Sequence, residues 1–168
     1  MDPTPSQTIG PFFHLCLCDA GAAGLVTAGA EGERITLVCR VLDGDGVPVD
    51  DALIELWQAH PRSFSRRATN HDGACMFETV KPGSAAGWDR NLQAPHISVS
   101  VFARGLLKRA ATRIYFAGEP ANAEDPVLAL VPEDRRDTLM ARCDPASAKR
   151  WNFEIHLCGE QETVFLEI

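Results

Sequence analysis

The stretch His96-Ile97-Ser98-Val99-Ser100-Val101-Phe102 alternates with period two, Ile97, Val99 and Val101 pointing one way and His96, Ser98 and Ser100 the other. Successive side chains of a strand lie on opposite faces, so this pattern describes a strand with one face in a core and one polar face. The same reading extends upstream. Arg34 to Val41 places Ile35, Leu37, Cys39 and Val41 on one face, and Asp43-Gly44-Asp45-Gly46 follows as a turn with a hairpin signal. Residues 53–57 read as a less strictly alternating strand, and residues 74–80 as another, stopped by Lys81-Pro82-Gly83. Downstream, residues 112–116, 151–157 and 163–166 complete the set. Helical signals are few. Pro126 behind an Asp125 cap opens a short turn through Leu130, and Pro132 opens a helix from Glu133 to Arg142, acidic first and basic last, as the helix dipole prefers. The expected fold is all-β, a two-sheet β-sandwich over residues 34–168 with an N-terminal arm, residues 1–33, and short helices in the C-terminal third.

The composition agrees with one such domain. At 168 residues the chain is long enough to bury a core without disulfide or metal staples, and 45% hydrophobic with 23% charged residues excludes a disordered or collagen-like chain. A formal charge of −7 with no Lys/Arg block argues against a nucleic-acid binder or a basic membrane-surface protein. No run reaches the 18 or so apolar residues of a membrane span. The beginning, Met1-Asp2-Pro3-Thr4-Pro5-Ser6, is acidic and Pro-rich, unlike a signal peptide. The six cysteines, 16, 18, 39, 75, 143 and 158, show no CxxC or zinc spacing and read as mostly buried thiols of a cytoplasmic protein.

Chemistry is sparse. There is no phosphate loop, no G-x-S-x-G and no H-E-x-x-H. Glu154 and His156 share one face of a strand and could supply two legs of a carboxylate–histidine iron site, or simply a solvated polar face. His71-Asp72-Gly73 reads as a turn. The basic segment His60 to Arg67 is a solvated loop or a subunit contact. His96 by itself reads as a hydrogen-bonded histidine, and Arg104 by itself as an arginine at a strand end.

Several segments occur in order and carry a resemblance together: Thr4 to Phe13, Asp51-Ala52-Leu53-Ile54-Glu55-Leu56-Trp57-Gln58-Ala59, Thr79-Val80-Lys81-Pro82-Gly83, Ala94-Pro95-His96-Ile97-Ser98, Phe102-Ala103-Arg104-Gly105 and Thr112-Arg113-Ile114-Tyr115-Phe116. Together they resemble the intradiol ring-cleavage dioxygenase family over nearly the whole chain. The resemblance implies a non-haem ferric ion held, in iron-bearing members, by two tyrosines and two histidines, the latter in a His-x-His strand motif. Phenolate is a hard anionic ligand, and a bound metal lowers a tyrosine's pKa far below its free value near 10. Here the motif reads His96-Ile97-Ser98, the segment after Lys81-Pro82-Gly83 reads Ser84-Ala85-Ala86-Gly87-Trp88, and the chain has one tyrosine, Tyr115. The resemblance therefore implies a chain without iron or catalytic residues of its own, His96 matching one position of the lost ligand motif, and with Fe(III) on a partner chain. It further implies that Thr8, Gly10 and Pro11 of the arm and Arg104 border the partner's pocket for 3,4-dihydroxybenzoate and O2, in a hetero-oligomer of repeated protomers. A guanidinium suits the substrate's carboxylate, and Gly10-Pro11 offers a stiff, side-chain-poor backbone to a flat ring. The alternatives are a free-standing β-sandwich binding module and a self-sufficient metalloenzyme built on Glu154 and His156.

Overall fold

The computed structural model describes Leu17, residues 31–87 and residues 91–167. Ten strands form: β1 (Arg34–Leu42), β2 (Leu53–Gln58), β3 (Ser63–Ala68), β4 (Ala74–Val80), β5 (Ala85–Ala86), β6 (Leu92–Gln93), β7 (His96–Phe102), β8 (Ala110–Phe116), β9 (Met140–Asp144) and β10 (Ser147–His156). Eight of them are hydrogen-bonded in the order β3-β2-β7-β8-β9-β10-β1-β4, while β5 and β6 pair separately. The protein is thus mostly β, as its alternation predicts. β9 is the joint: it touches β8 in parallel over only Tyr115↔Met140 and Phe116↔Ala141, and then pairs antiparallel with β10.

Inward positions from both ends of this order meet in a single core. Ile35, Leu37 and Val41 of β1, Ile54 and Leu56 of β2, Phe77 of β4, Val99 and Val101 of β7 and Phe153 of β10 all belong to it. Each such side chain contributes roughly 1.5–3 kcal/mol on leaving water, which is why period-two apolar patterning dictates the strands. Cys39 and Cys75 are buried in this core and face each other in the β1–β4 register, while Cys143 and Cys158 are exposed. The expectation of mostly buried thiols therefore holds for two of the four described cysteines; Cys16 and Cys18 lie outside the described residues.

Four local readings are corrected. The turn at Asp43–Gly46 forms, with Asp43 Oδ1 accepting from the Asp45 and Val47 N–H groups, but it returns the chain only to a Leu42↔Pro48 bridge; β1 pairs with β4 and β10 instead. The basic segment is not a loop throughout, because Ser63–Ala68 pairs along all of β2 as an edge strand. The helix opened by Pro132 is a 3-10 helix, Glu133–Leu139, and Met140 starts a strand. Residues 163–166 are extended without joining a sheet; Thr163 N–H donates to His156 O, and Leu166 N–H to Ala111 O. The turn at His71-Asp72-Gly73 forms as expected. Asn70 Oδ1 accepts from Asp72 and Ala74, and Gly73 has φ +69°, where a Cβ would come within 2.6 Å of Val41 O.

Candidate functional site

β7 carries both candidate regions, one at each end. At its start, His96 is buried, and its Nδ1–H donates to Ala94 O at 2.8 Å. Its ring lies 5.8 Å from that of Tyr115, its register partner on β8. Tyr115 is fully buried and donates its hydroxyl to Asp125 Oδ1 at 3.0 Å. Asp125, also buried, gathers three backbone donors besides: Ala94 N–H on Oδ2, and Val127 and Leu128 N–H on Oδ1. The last two hold the entry to the short 3-10 helix Leu128–Leu130, whose N-cap is Val127 and not the expected Asp125. Desolvation dominates the titration of both rings. It lowers His96 below 6.5, and it pushes Tyr115 up to about 12.

These residues do not fit the ferric ion that the resemblance implies for iron-bearing relatives. Ser98 offers a neutral hydroxyl where a second imidazole is needed. Tyr115 is held as a neutral phenol committed to Asp125, the opposite of the phenolate a metal requires. Among the described residues, no three His, Cys, Asp or Glu side chains converge. Glu154 and His156 do share a strand face, with His156 Nε2 3.8 Å from Glu154 Oε2, but form only a loose pair of a partly buried imidazole and an exposed carboxylate.

At the far end of β7, Ala103 to Leu106 makes a tight turn closed by Leu106 N–H to Ala103 O at 3.2 Å, with Gly105 at φ +88°. Arg104 occupies the second position of this turn, and its side chain is 85% exposed. Its Nε lies 3.3 Å from Asp51 Oδ2, just before β2. Arg104 is therefore well away from His96 along the strand. Thr8, Gly10 and Pro11 lie outside the described residues.

Between these ends, the outer face of β2, β3 and β7 holds a groove of about 250 Å³ that the sequence reading missed. Trp57 and Phe64, register partners each 45% exposed, flank it, and Ser98, Ser100, Glu55 and Arg109 border it. Arg109 donates to Ser100 Oγ at 2.8 Å, while Glu55 is paired with Arg66, whose guanidinium sits 5.5 Å above the Phe64 ring. The legible signal was the outward position of Trp57, opposite Ser98 in register.

The segments that carry the resemblance are largely cross-links of the scaffold. Gln58 accepts from Thr79 Oγ1 at 2.9 Å and donates to Val80 O, tying the end of β2 to the end of β4. Lys81 places its ammonium 5.4 Å from the Phe116 ring and 5.3 Å from the Trp151 ring, and pairs with Glu119. Thr112 Oγ1 donates to Val164 O, pinning the C-terminal segment.

Comparison with known proteins follows the same lines. The fold superimposes on the dioxygenase domain of a dioxygenase carbohydrate-binding fusion protein from Streptomyces sp. SirexAA-E with a TM-score of 0.66 and 26% identity, covering 94% of this chain and 99% of that one. Fold and sequence thus define the class, the intradiol ring-cleavage dioxygenases. No family model matches the chain. It is, however, 40% identical to the protocatechuate 3,4-dioxygenase alpha chain of Burkholderia cepacia over 98% of this chain and 97% of that one, and 34% identical to the beta chain from the same organism, over 94% and 77%. The chain belongs to the protocatechuate 3,4-dioxygenase alpha-chain family. Among the described residues, no helix is long and apolar enough to cross a membrane.

Proposed function

We propose that this chain is the non-iron-binding alpha subunit of a cytoplasmic, hetero-oligomeric protocatechuate 3,4-dioxygenase, a β-sandwich that completes the substrate pocket of an iron-bearing beta subunit. The observation that carries this reading is the match to an alpha chain along nearly the whole length, joined to Ser98 standing where an iron-bearing chain needs its second histidine. In this reading the assembled enzyme inserts both atoms of O2 between the two hydroxylated carbons of 3,4-dihydroxybenzoate, giving 3-carboxy-cis,cis-muconate, with the ferric ion on the beta subunit. This chain binds and orients. Arg104 pairs with the ring carboxylate remote from the reacting carbons, and Thr8, Gly10 and Pro11 bring the arm's backbone against the ring. The exposure of Arg104 supports this role, since a guanidinium that among the described residues pairs with a single carboxylate, Asp51, can take an incoming one. The free-standing binding module is not favoured, because the similarity extends to both chains of a two-chain enzyme.

The test is to produce the chain alone and together with its beta subunit, measuring iron, visible absorbance and oxygen uptake with 3,4-dihydroxybenzoate. Activity and colour are expected only in the co-produced complex. An active, iron-loaded single chain would overturn the proposal.

A further inference from the structure

The eight-stranded order has two ends, β3 and β4, and both border one small cavity with β2 between them. Leu56 and Gln58 of β2, Ser63 and Ser65 of β3, and Phe77 and Thr79 of β4 line it. The cavity measures about 10 Å³, near the least that admits a water molecule and far below the roughly 150 Å³ that takes up benzene. Size alone thus limits its occupant to water. Ser65 sets its chemistry. This serine sits inward on β3, opposite Leu56 in register, and is only 7% exposed. Its hydroxyl is shut off from solvent and, among the described residues, meets no hydrogen-bond partner. A buried polar group left unmet costs about 1–3 kcal/mol, so the position calls for a partner small enough to enter.

The other polar groups of the lining have capacity to spare. Gln58 gives one amide N–H to Val80 O and accepts once from Thr79, which leaves a second N–H and a second lone pair. Thr79 Oγ1 donates to Gln58 Oε1 and keeps its own lone pairs for another donor. A buried water takes two to four such partners. We propose that this cavity is a structural water site, in which one water held by Ser65 Oγ, Gln58 and Thr79 closes the seam between the two ends of the strand order. Backbone bonds tie β3 to β2 alone, so this water is what links the edge strand to the Gln58–Thr79 pair and through it to β4.

The test is a crystal structure of the assembled two-chain enzyme, carrying this chain as wild type and as Ser65→Val, at a resolution that shows ordered water. In the wild type one water is expected within about 2.5–3.2 Å of Ser65 Oγ and of Gln58 or Thr79. Ser65→Val should lose it. In solution, Ser65→Ala should speed amide hydrogen exchange in β3 about tenfold, on the scale of one net hydrogen bond, and leave β7 unchanged. A wild-type structure without this water would overturn the site, whether or not the variants fold. A water unmoved in Ser65→Val would overturn Ser65 as its anchor, and unaltered exchange in Ser65→Ala would overturn its part in closing the seam.

Discussion

The two ends of β7 are made of the same strand and do opposite things. At its start His96, Tyr115 and Asp125 are buried and tied into the scaffold, His96 Nδ1 to Ala94 O and the Tyr115 hydroxyl to Asp125. At its end Arg104 stands on a turn in solvent, tied to one carboxylate, and contributes almost nothing to the fold. One end of the strand is thus part of the buried scaffold, while the other presents an exposed guanidinium at the surface.

That contrast can be broken most forcefully at Asp125. Asp125→Ala strands the Tyr115 hydroxyl and the Ala94 and Leu128 N–H groups in the interior, and takes the acceptor from the part-buried Val127 N–H. At about 1–3 kcal/mol for each buried donor left unmet, we expect a loss of more than ~3 kcal/mol in urea denaturation, or failure to fold. A loss under ~1 kcal/mol would mean the network is not structural.

Next comes a pair of variants, one at each end. Tyr115→Phe should cost about 1.5–3 kcal/mol of stability, as for a hydrogen bond to a charged group, and leave the iron content and visible spectrum of the complex unaltered. Arg104→Ala should do the reverse. Stability should change by under ~1 kcal/mol, as for an exposed ion pair, while KM for 3,4-dihydroxybenzoate rises by the equivalent of about 1.5–3 kcal/mol with iron retained. Loss of iron from the assembled Arg104→Ala enzyme would count against its placement at the carboxylate.

The smallest expected effect is a pH dependence confined to the inner end. Burial lowers the folded-state pKa of His96 below 6.5, so the unfolded chain binds the proton more readily. Stability from this group is complete above about 6.5, and it falls as pH drops through 6.5 toward the lower folded value. Tyr115 behaves oppositely at the alkaline side. Its stabilisation is present below about 10 and lost as pH rises toward about 12. Thermal midpoints across both windows should show the acid limb flatten in His96→Gln and the alkaline limb in Tyr115→Phe, with Arg104→Ala altering neither.

The strands that bury apolar faces were legible because alternation and burial have one cause. β7 runs from His96 to Phe102, as its pattern indicates, and β4 from Ala74 to Val80. β3 was not legible because its inward positions are Ser65 and Arg67. It is recruited by backbone pairing to β2, and its charges suit a sheet edge. β9 was hidden by the dipole-like charge pattern of residues 133–142, which fits a helix but is ended by Met140 and Ala141 joining β8. In the site, the serine at 98 and the single tyrosine could be read directly. The engagement of Tyr115 by Asp125 could not, since those residues belong to separate elements and only the fold brings them together. The groove escaped for a similar reason, Trp57 and Phe64 coming from a weakly alternating strand and from a segment read as loop.

The most direct measurement is the iron stoichiometry of the assembled enzyme, followed by separation of the two chains and metal analysis of each. One iron per alpha–beta pair is expected, all of it remaining with the beta chain or released from it, and none associated with this chain. Two irons per pair, or iron that travels with this chain after separation, would contradict it.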